Sequence, residues 1–326
     1  MRIPGWRLAV ATLLVAIAGT GCSTGGSDAA GGGDTTKVNA TSNAGECGKD
    51  TRTVAHELGS TEIKGTPERV VALEFSFVDA LASIKLKPVG IADDNDTNRI
   101  IPQLRDQLAG YTSVGLRQSP NLQQISALKP DLIIADVRRH KNIYDQLSQI
   151  APTIAFNSNQ ASYQKNLDSA AAIGQALNRC KAMDDRLAQH RKTMEELKAK
   201  IPAGKNDKFM FAVAGEKTFT VHTAAGYTPS VLEALGLTCV VPASGDTTQP
   251  EMNLESFVAA NPPILFVTNP AGTLFEQWQK NPLAQQVTAI KDNKVFPVDV
   301  AVWSRWRGVT AAELIAQDVV TKVYGG

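Results

Sequence analysis

Histidine and cysteine are scarce in this chain of 326 residues, four of each. His56, His140, His190 and His222 are not spaced as metal ligands on one helix face, and no CxxC pair occurs. A zinc enzyme is therefore not expected, nor any other resident metal or cofactor. Missing too are the P-loop and GxGxxG, which carry nucleotide and dinucleotide chemistry. GxSxG is spelled only at residues 21–25 (GCSTG), ahead of every expected strand and so without the strand-to-helix turn its chemistry needs; no catalytic residue is assigned. Charge of one sign is not in excess: 33 Lys and Arg face 32 Asp and Glu, for a net charge of +1. A general nucleic-acid binder needs a basic surplus, so no nucleic-acid partner is expected. Long apolar runs are confined to residues 8–18 (LAVATLLVAIA), well short of the roughly 20 residues a spanning helix requires.

That single run has a meaning of its own. Arg2 and Arg7 precede it, and Gly19, Thr20, Gly21 and Cys22 follow. A basic start, a short apolar core and small residues before a cleavage point describe a secretory signal over residues 1–21. Cys22 is the candidate lipidation site, which places the protein on the extracytoplasmic face of the cell membrane, held by acyl chains. Residues 22–45 are mostly Gly, Ser, Ala, Thr, Asn and Asp; such a segment buries too little apolar surface to fold and reads as a flexible tether. Three further cysteines, Cys47, Cys180 and Cys239, leave the pairing open in an oxidising compartment.

The remaining 280 or so residues suffice for two cored domains. From residue 69, short apolar runs alternate with amphipathic stretches. Strands are expected at 69–73, 88–92, 131–135 and 153–156, with helices at 75–84, 122–128 and 141–150. The second half repeats the style, with strands at 208–213, 218–222, 264–267 and 295–298 and helices at 229–235, 254–260 and 310–323. This alternation implies an α/β fold with mainly parallel sheets covered on both faces. Two lobes, 46–160 and 201–326, are expected with a ligand cleft between them. Over 161–200, Leu167, Ala170, Gly174, Leu177, Cys180, Met183, Leu187, Met194 and Leu197 step by three, four or seven. The spacing predicts one long backbone helix joining the lobes, with Cys180 on its apolar stripe as a packed thiol.

Arginines collect just past the carboxyl ends of these strands, where open α/β sheets bind ligands. Arg99 follows the second strand, Arg117 stands in VGLR, and Arg139 follows DLIIAD. Arg305 and Arg307 lie in WSRWRG after the last strand. On an extended loop, residues two apart project the same way, so Arg305 and Arg307 are expected on one side, with Trp303 alternating between similar neighbours. Guanidinium groups bind carboxylates by paired hydrogen bonds and keep their charge; a cleft with arginines on both walls suits a polyanion. Asp93, Asp94 and Asp96 lack the glycine and terminal glutamate of a calcium loop and read as a solvated turn.

Segments 65–81 (GTPERVVALEFSFVDAL), 88–96 (PVGIADDND), 113–140 (SVGLRQSPNLQQISALKPDLIIADVRRH) and 302–308 (VWSRWRG) resemble the periplasmic ferric dicitrate-binding proteins of iron ABC importers and their Gram-positive relatives that take citrate-type siderophores. The resemblance covers residues 50–322. It implies two lobes bridged by a long helix and a ferric chelate as ligand, with iron present only as chelated Fe3+. It also implies delivery to ABC permease subunits with a cytoplasmic ATPase, and a monomer. Arg99, Arg117 and Arg139 would line one wall, and Trp303, Arg305 and Arg307 the other, with His222 and Glu74 as further ligand-side residues. Glu255, in Asn253-Leu254-Glu255, matches the family's permease-docking glutamate. Gln123 stands at the corresponding position of the other lobe, where the charge is missing. Rival readings are another cargo, such as a hydroxamate siderophore, haem or cobalamin, and an enzyme on the same two-lobed scaffold.

Overall fold

The computed structural model describes residues 47–326 apart from Lys205, Asp246, Asn269 and Pro270; the leader, Cys22 and the tether lie outside the described residues. The body opens with a hairpin, β1 (Thr51–His56) and β2 (Gly59–Lys64), a stretch to which the apolar pattern assigns no element. A five-stranded parallel sheet follows, built from β3 (Val70–Ala72), β4 (Gly90–Ile91), β5 (Thr112–Ser113), β6 (Leu132–Asp136) and β7 (Thr153–Phe156) in the order β5-β4-β3-β6-β7. Its helices are α1 (Phe75–Ser83), α2 (Arg105–Leu108), α3 (Leu122–Ala127), α4 (Val137–His140) and α5 (Tyr144–Ile150). Strand order reverses between β3 and β6, and parallel pairing brings all five carboxyl ends to one edge. A crevice at that reversal is where such sheets take ligands.

Helices α6 (Tyr163–Ala176) and α7 (Cys180–Ala199) then replace the single helix expected over 161–200. Asn178 adopts a left-handed conformation (φ 56°), which asparagine tolerates better than most residues and which ends α6 without a glycine or proline to announce it. The two helices run back on each other. Tyr163, at the start of α6, touches His190 well along α7, and a Cβ on Gly174 would lie 2.6 Å from Met183. The 20 residues of α7 span about 30 Å, and they form the rod between the lobes. Cys180 corrects the packed-thiol expectation: it is bonded to Cys47, while Cys239 is free and buried. The buried Arg52 of β1 secures the same corner. Its guanidinium donates to the carbonyls of Gln175 and Ala176 at the end of α6, and to those of Lys49 and Gly65.

The second sheet pairs β8 (Lys208–Ala214), β10 (Thr238–Cys239), β11 (Ile264–Thr268) and β12 (Val295–Val298) in parallel, in the order β10-β8-β11-β12. Here β9 (Phe219–Val221) runs antiparallel to β8. Its helices are α8 (Tyr227–Ala234), α9 (Leu254–Ala260), α10 (Leu274–Gln279), α11 (Thr288–Lys291) and α12 (Val309–Tyr324). The larger core is shared between the lobes, while the first lobe keeps a smaller cluster of its own around Val71, Ile125, Ile133 and Leu147. The shared core runs from Phe75, Phe77 and Leu81 of α1 to Phe211, Phe266 and Trp303 of the second lobe. Eight of the nine residues of α1 are buried, Asp79 among them. Its carboxylate accepts the backbone N–H groups of Thr310 and Ala311 at 3.0 and 3.1 Å. An acid of one lobe therefore caps the first turn of a helix in the other, where the helix dipole favours negative charge.

Candidate ligand cleft

Residues just past the carboxyl ends of β3, β4, β5 and β6 form one wall. Glu74 precedes α1 and is fully buried, ion-paired to Arg117 (3.3 Å) and to Arg139. Asp94, in the turn after β4, receives Arg117 through Nε at 2.9 Å and Nη2 at 2.8 Å, and Arg99 at 2.5 Å. Burial raises the Asp94 carboxyl, but hydrogen bonds from Arg117 and the charges of Arg117 and Arg99 outweigh it and hold it below the usual carboxylate range. Buried His140 fixes the spacing between the two loops. Its Nδ1 accepts the N–H of Asp136, so its Nε2 donates to the carbonyl of Arg117 at 2.7 Å. Asp136 caps α4 through the N–H groups of Arg138 and Arg139, and Arg139 reaches Gln118 at 2.7 Å.

The opposite wall is not an extended loop. Ala301–Arg305 forms a π-helical turn, so the alternation expected for Trp303, Arg305 and Arg307 does not hold. Trp303 has no exposed surface: it packs on Phe266 and Phe211 and donates to Asp318 at 2.8 Å. Trp306 crosses to the first lobe instead, stacked on Phe75 at 5.1 Å with its Nε1 donating to the carbonyl of Arg99. The Arg117 guanidinium lies 4.6 Å from the centre of that same Phe75 ring, a cation–π contact. Arg307 is 5 % exposed and donates to Asn159 of the other lobe at 3.1 Å and to the carbonyls of Ser304 and Arg305. Burial lowers its pKa to about 10, and the charges of Arg117 and Arg139 press in the same direction against the pull of Glu74. Burial and then the cations Arg99 and Arg117 likewise lower Arg305. His222 lies against Phe211, its ring centroid 4.6 Å away; burial, helped by the charge of Arg307, depresses its pKa to about 3, so it is neutral.

Arg99, Arg117, Arg139, Arg305 and Arg307 thus form one electrostatic cluster across the two lobes, with Glu74 inside it and His222 against Arg307. Trp303 stands apart in the core. The solvated-turn reading of the aspartates is corrected. Asp93 is fully buried and accepts from Tyr111 and Ser113, Asp94 anchors two arginines, and Asp96 is half-buried and accepts the N–H of Asn98. Sequence reasoning passed over Gln118, Asn159 and Phe75, and took Asp94 for a turn residue. The nearest signal was that Asp94 follows a strand end, as the arginines do. A cavity of about 330 Å3 opens beside Asp93, lined in part by Arg105, Tyr111 and Ser113; it contains none of the five arginines. Among the described residues no group of His, Cys, Asp and Glu could hold a metal ion. Gln123 and Glu255 are exposed, each in the first turn of a short helix, α3 and α9, capped by Asn121 and Asn253 respectively.

Two α/β lobes bridged by helices, with fixed cations from both gathered between them, define a two-lobed solute-binding protein. The chain belongs to the periplasmic binding protein family, whose pattern matches residues 70–300. It is 43% identical over 277 residues to the Fe(3+)-citrate-binding protein YfmC of Bacillus subtilis, covering 85% of this chain and 87% of that one. Identity is 42% over 269 residues to the Fe(3+) dicitrate-binding periplasmic protein FecB of Escherichia coli, covering 82% and 89%. The structure of Staphylococcus aureus SirA complexed with staphyloferrin B aligns with a TM-score of 0.72 at 25% identity, covering 84% of this chain and 99% of that one.

Proposed function

We propose that this protein captures ferric citrate, or a citrate-type ferric siderophore, between its lobes and delivers it to a membrane permease driven by a cytoplasmic ATPase. The observation that carries the reading is the gathering of five arginines from two lobes, more cation than Glu74 and Asp94 neutralise. Carboxylate-rich chelates present the complementary charge, and guanidinium forks grip carboxylates in pairs. Similarity to two ferric-citrate binders over more than four-fifths of the chain supports the same cargo. No chemistry on the ligand is implied.

In this reading residues 1–21 are the leader, Cys22 carries the acyl anchor and 22–45 are the tether. Residues 46–160 and 201–326 are the lobes, joined by 161–200, and the protein works as a monomer on the extracytoplasmic face. Among the described residues no helix is long and apolar enough to cross a membrane. Glu255 and Gln123, at matching helix starts of the two lobes, are the docking positions, with Glu255 meeting a permease cation. Calorimetric titration with ferric citrate, iron-free citrate, a hydroxamate siderophore, haem and cobalamin tests the cargo. Binding of ferric citrate or a citrate-type siderophore above the others is expected; preference for haem or cobalamin would overturn the assignment.

A further inference from the structure

The ion pairs of the cleft are shared unevenly between its walls. Arg99, Arg117 and Arg139 are each paired with Asp94, Glu74 or both. Arg305 and Arg307 make no ion pair among the described residues, and Arg307 spends its donors on Asn159 and two carbonyls. The two carboxylates also differ. Glu74 is fully buried, whereas the Asp94 side chain keeps 13 % of its surface and its charge is felt by Arg305 on the far wall. Asp94 takes both Nε and Nη2 of Arg117 on its single oxygen Oδ2, and so occupies the donor edge by which a ligand carboxylate would take the guanidinium.

We propose that Asp94 is a built-in competitor for the ligand's carboxylates, and so sets how much negative charge a chelate must carry to win Arg99 and Arg117. The proposal rests on the reading of the cleft as a polyanion site. A ligand with several outward carboxylates engages Arg305 and Arg307, which have no acidic partner among the described residues, and then displaces or shares Asp94. A ligand of low charge gains too little from the far wall to do so. The backbone holds the competitor in place: Asp94 is left-handed (φ 61°), its N–H donates to the carbonyl of Gly115, and its Oδ1 accepts the N–H of Arg117 at 2.8 Å. Asparagine adopts that conformation as readily as aspartate, and its amide oxygen can still accept from Arg117. With that oxygen under the Arg117 N–H, the amide NH2 faces the guanidiniums that Oδ2 accepted, so Asp94→Asn removes the charge and keeps only the backbone anchor, while Asp94→Ala removes both.

The parent, Asp94→Asn and Asp94→Ala are titrated calorimetrically with ferric citrate and with iron-free citrate at low and high salt. Asp94→Asn is expected to bind ferric citrate about tenfold tighter at low salt, the order of effect of one unit charge about 6 Å away at an effective dielectric of about 40. The gain should shrink at high salt. A carboxylate that only props Arg117 would leave Asp94→Asn equal to the parent or weaker, with Asp94→Ala weaker still, and either result overturns the proposal. If the parent itself does not bind ferric citrate, the cargo assignment fails and the proposal falls with it.

Discussion

The Cys47–Cys180 disulfide closes a loop of sequence separation 133 that contains the whole first sheet and helix α6. Replacing both cysteines by serine should act mainly on the unfolded chain. The folded corner keeps Arg52 on the carbonyls of Gln175 and Ala176, and Asn178 on the N–H of Gly48 at 2.7 Å. Chain entropy for a loop of this length gives about 5 kcal/mol at 25 °C, and native disulfides typically contribute about 2–5 kcal/mol. For a body of this size each kcal/mol moves the melting midpoint by about 2 °C, so the double variant should melt roughly 4–10 °C lower. Circular dichroism melts of parent and variant, with and without reductant, measure this. The parent under full reduction should fall to the variant's midpoint, and the variant should ignore the reductant. Ferric citrate affinity at 25 °C should not change, because neither cysteine belongs to the arginine cluster. A double variant melting within about 1 °C of the parent, with the parent's thiols shown to be oxidised, would refute the reasoning.

Arg307→Ala should weaken ferric citrate binding by about 2–5 kcal/mol, as for loss of a buried charge partner, and Arg305→Ala by less because it is partly exposed; the double variant should cost less than the sum. Full parental affinity in both single variants would move the site elsewhere. His222 is neutral in the fold, with a pKa of about 3 against 6.5 when unfolded, so its contribution is complete above pH 6.5 and is lost as pH falls toward 3. At about 1.4 kcal/mol for each tenfold change in proton affinity this reaches roughly 4–5 kcal/mol, and His222→Asn should flatten urea stability between pH 6.5 and 4. Gly308→Ala should destabilise the protein by about 1–3 kcal/mol in urea unfolding, since the new Cβ would lie 2.6 Å from Asp79; unchanged stability would mean that the lobes yield there. Glu255→Ala should leave ligand affinity intact and slow uptake in vesicles, and parental uptake at subsaturating protein would reject the docking role.

Much of the secondary structure and the arginine positions were legible because they follow from local pattern. Short apolar runs alternating with helical periodicity locate β7 (Thr153–Phe156), α9 (Leu254–Ala260) and β12 (Val295–Val298) at their observed bounds, and the parallel α/β layout follows from their order. Once strands are parallel their carboxyl ends share an edge, so arginines that follow them must gather. What tertiary structure decided involves residues far apart in the chain. Asn178 turns the chain back with no break in the apolar stepping, so periodicity alone read one helix. Cys47 meets Cys180 because the end of α6 is held against β1 by Arg52 and Asn178. The burial of Trp303 and the crossing of Trp306 to Arg99, 207 residues away, depend on a π-helical turn that composition does not signal. The acids show the same limit: Asp94 reads as a turn residue until Arg117 arrives from 23 positions along. A carboxylate's role is set by which cation desolvates it, and that is a fact of packing rather than of spacing.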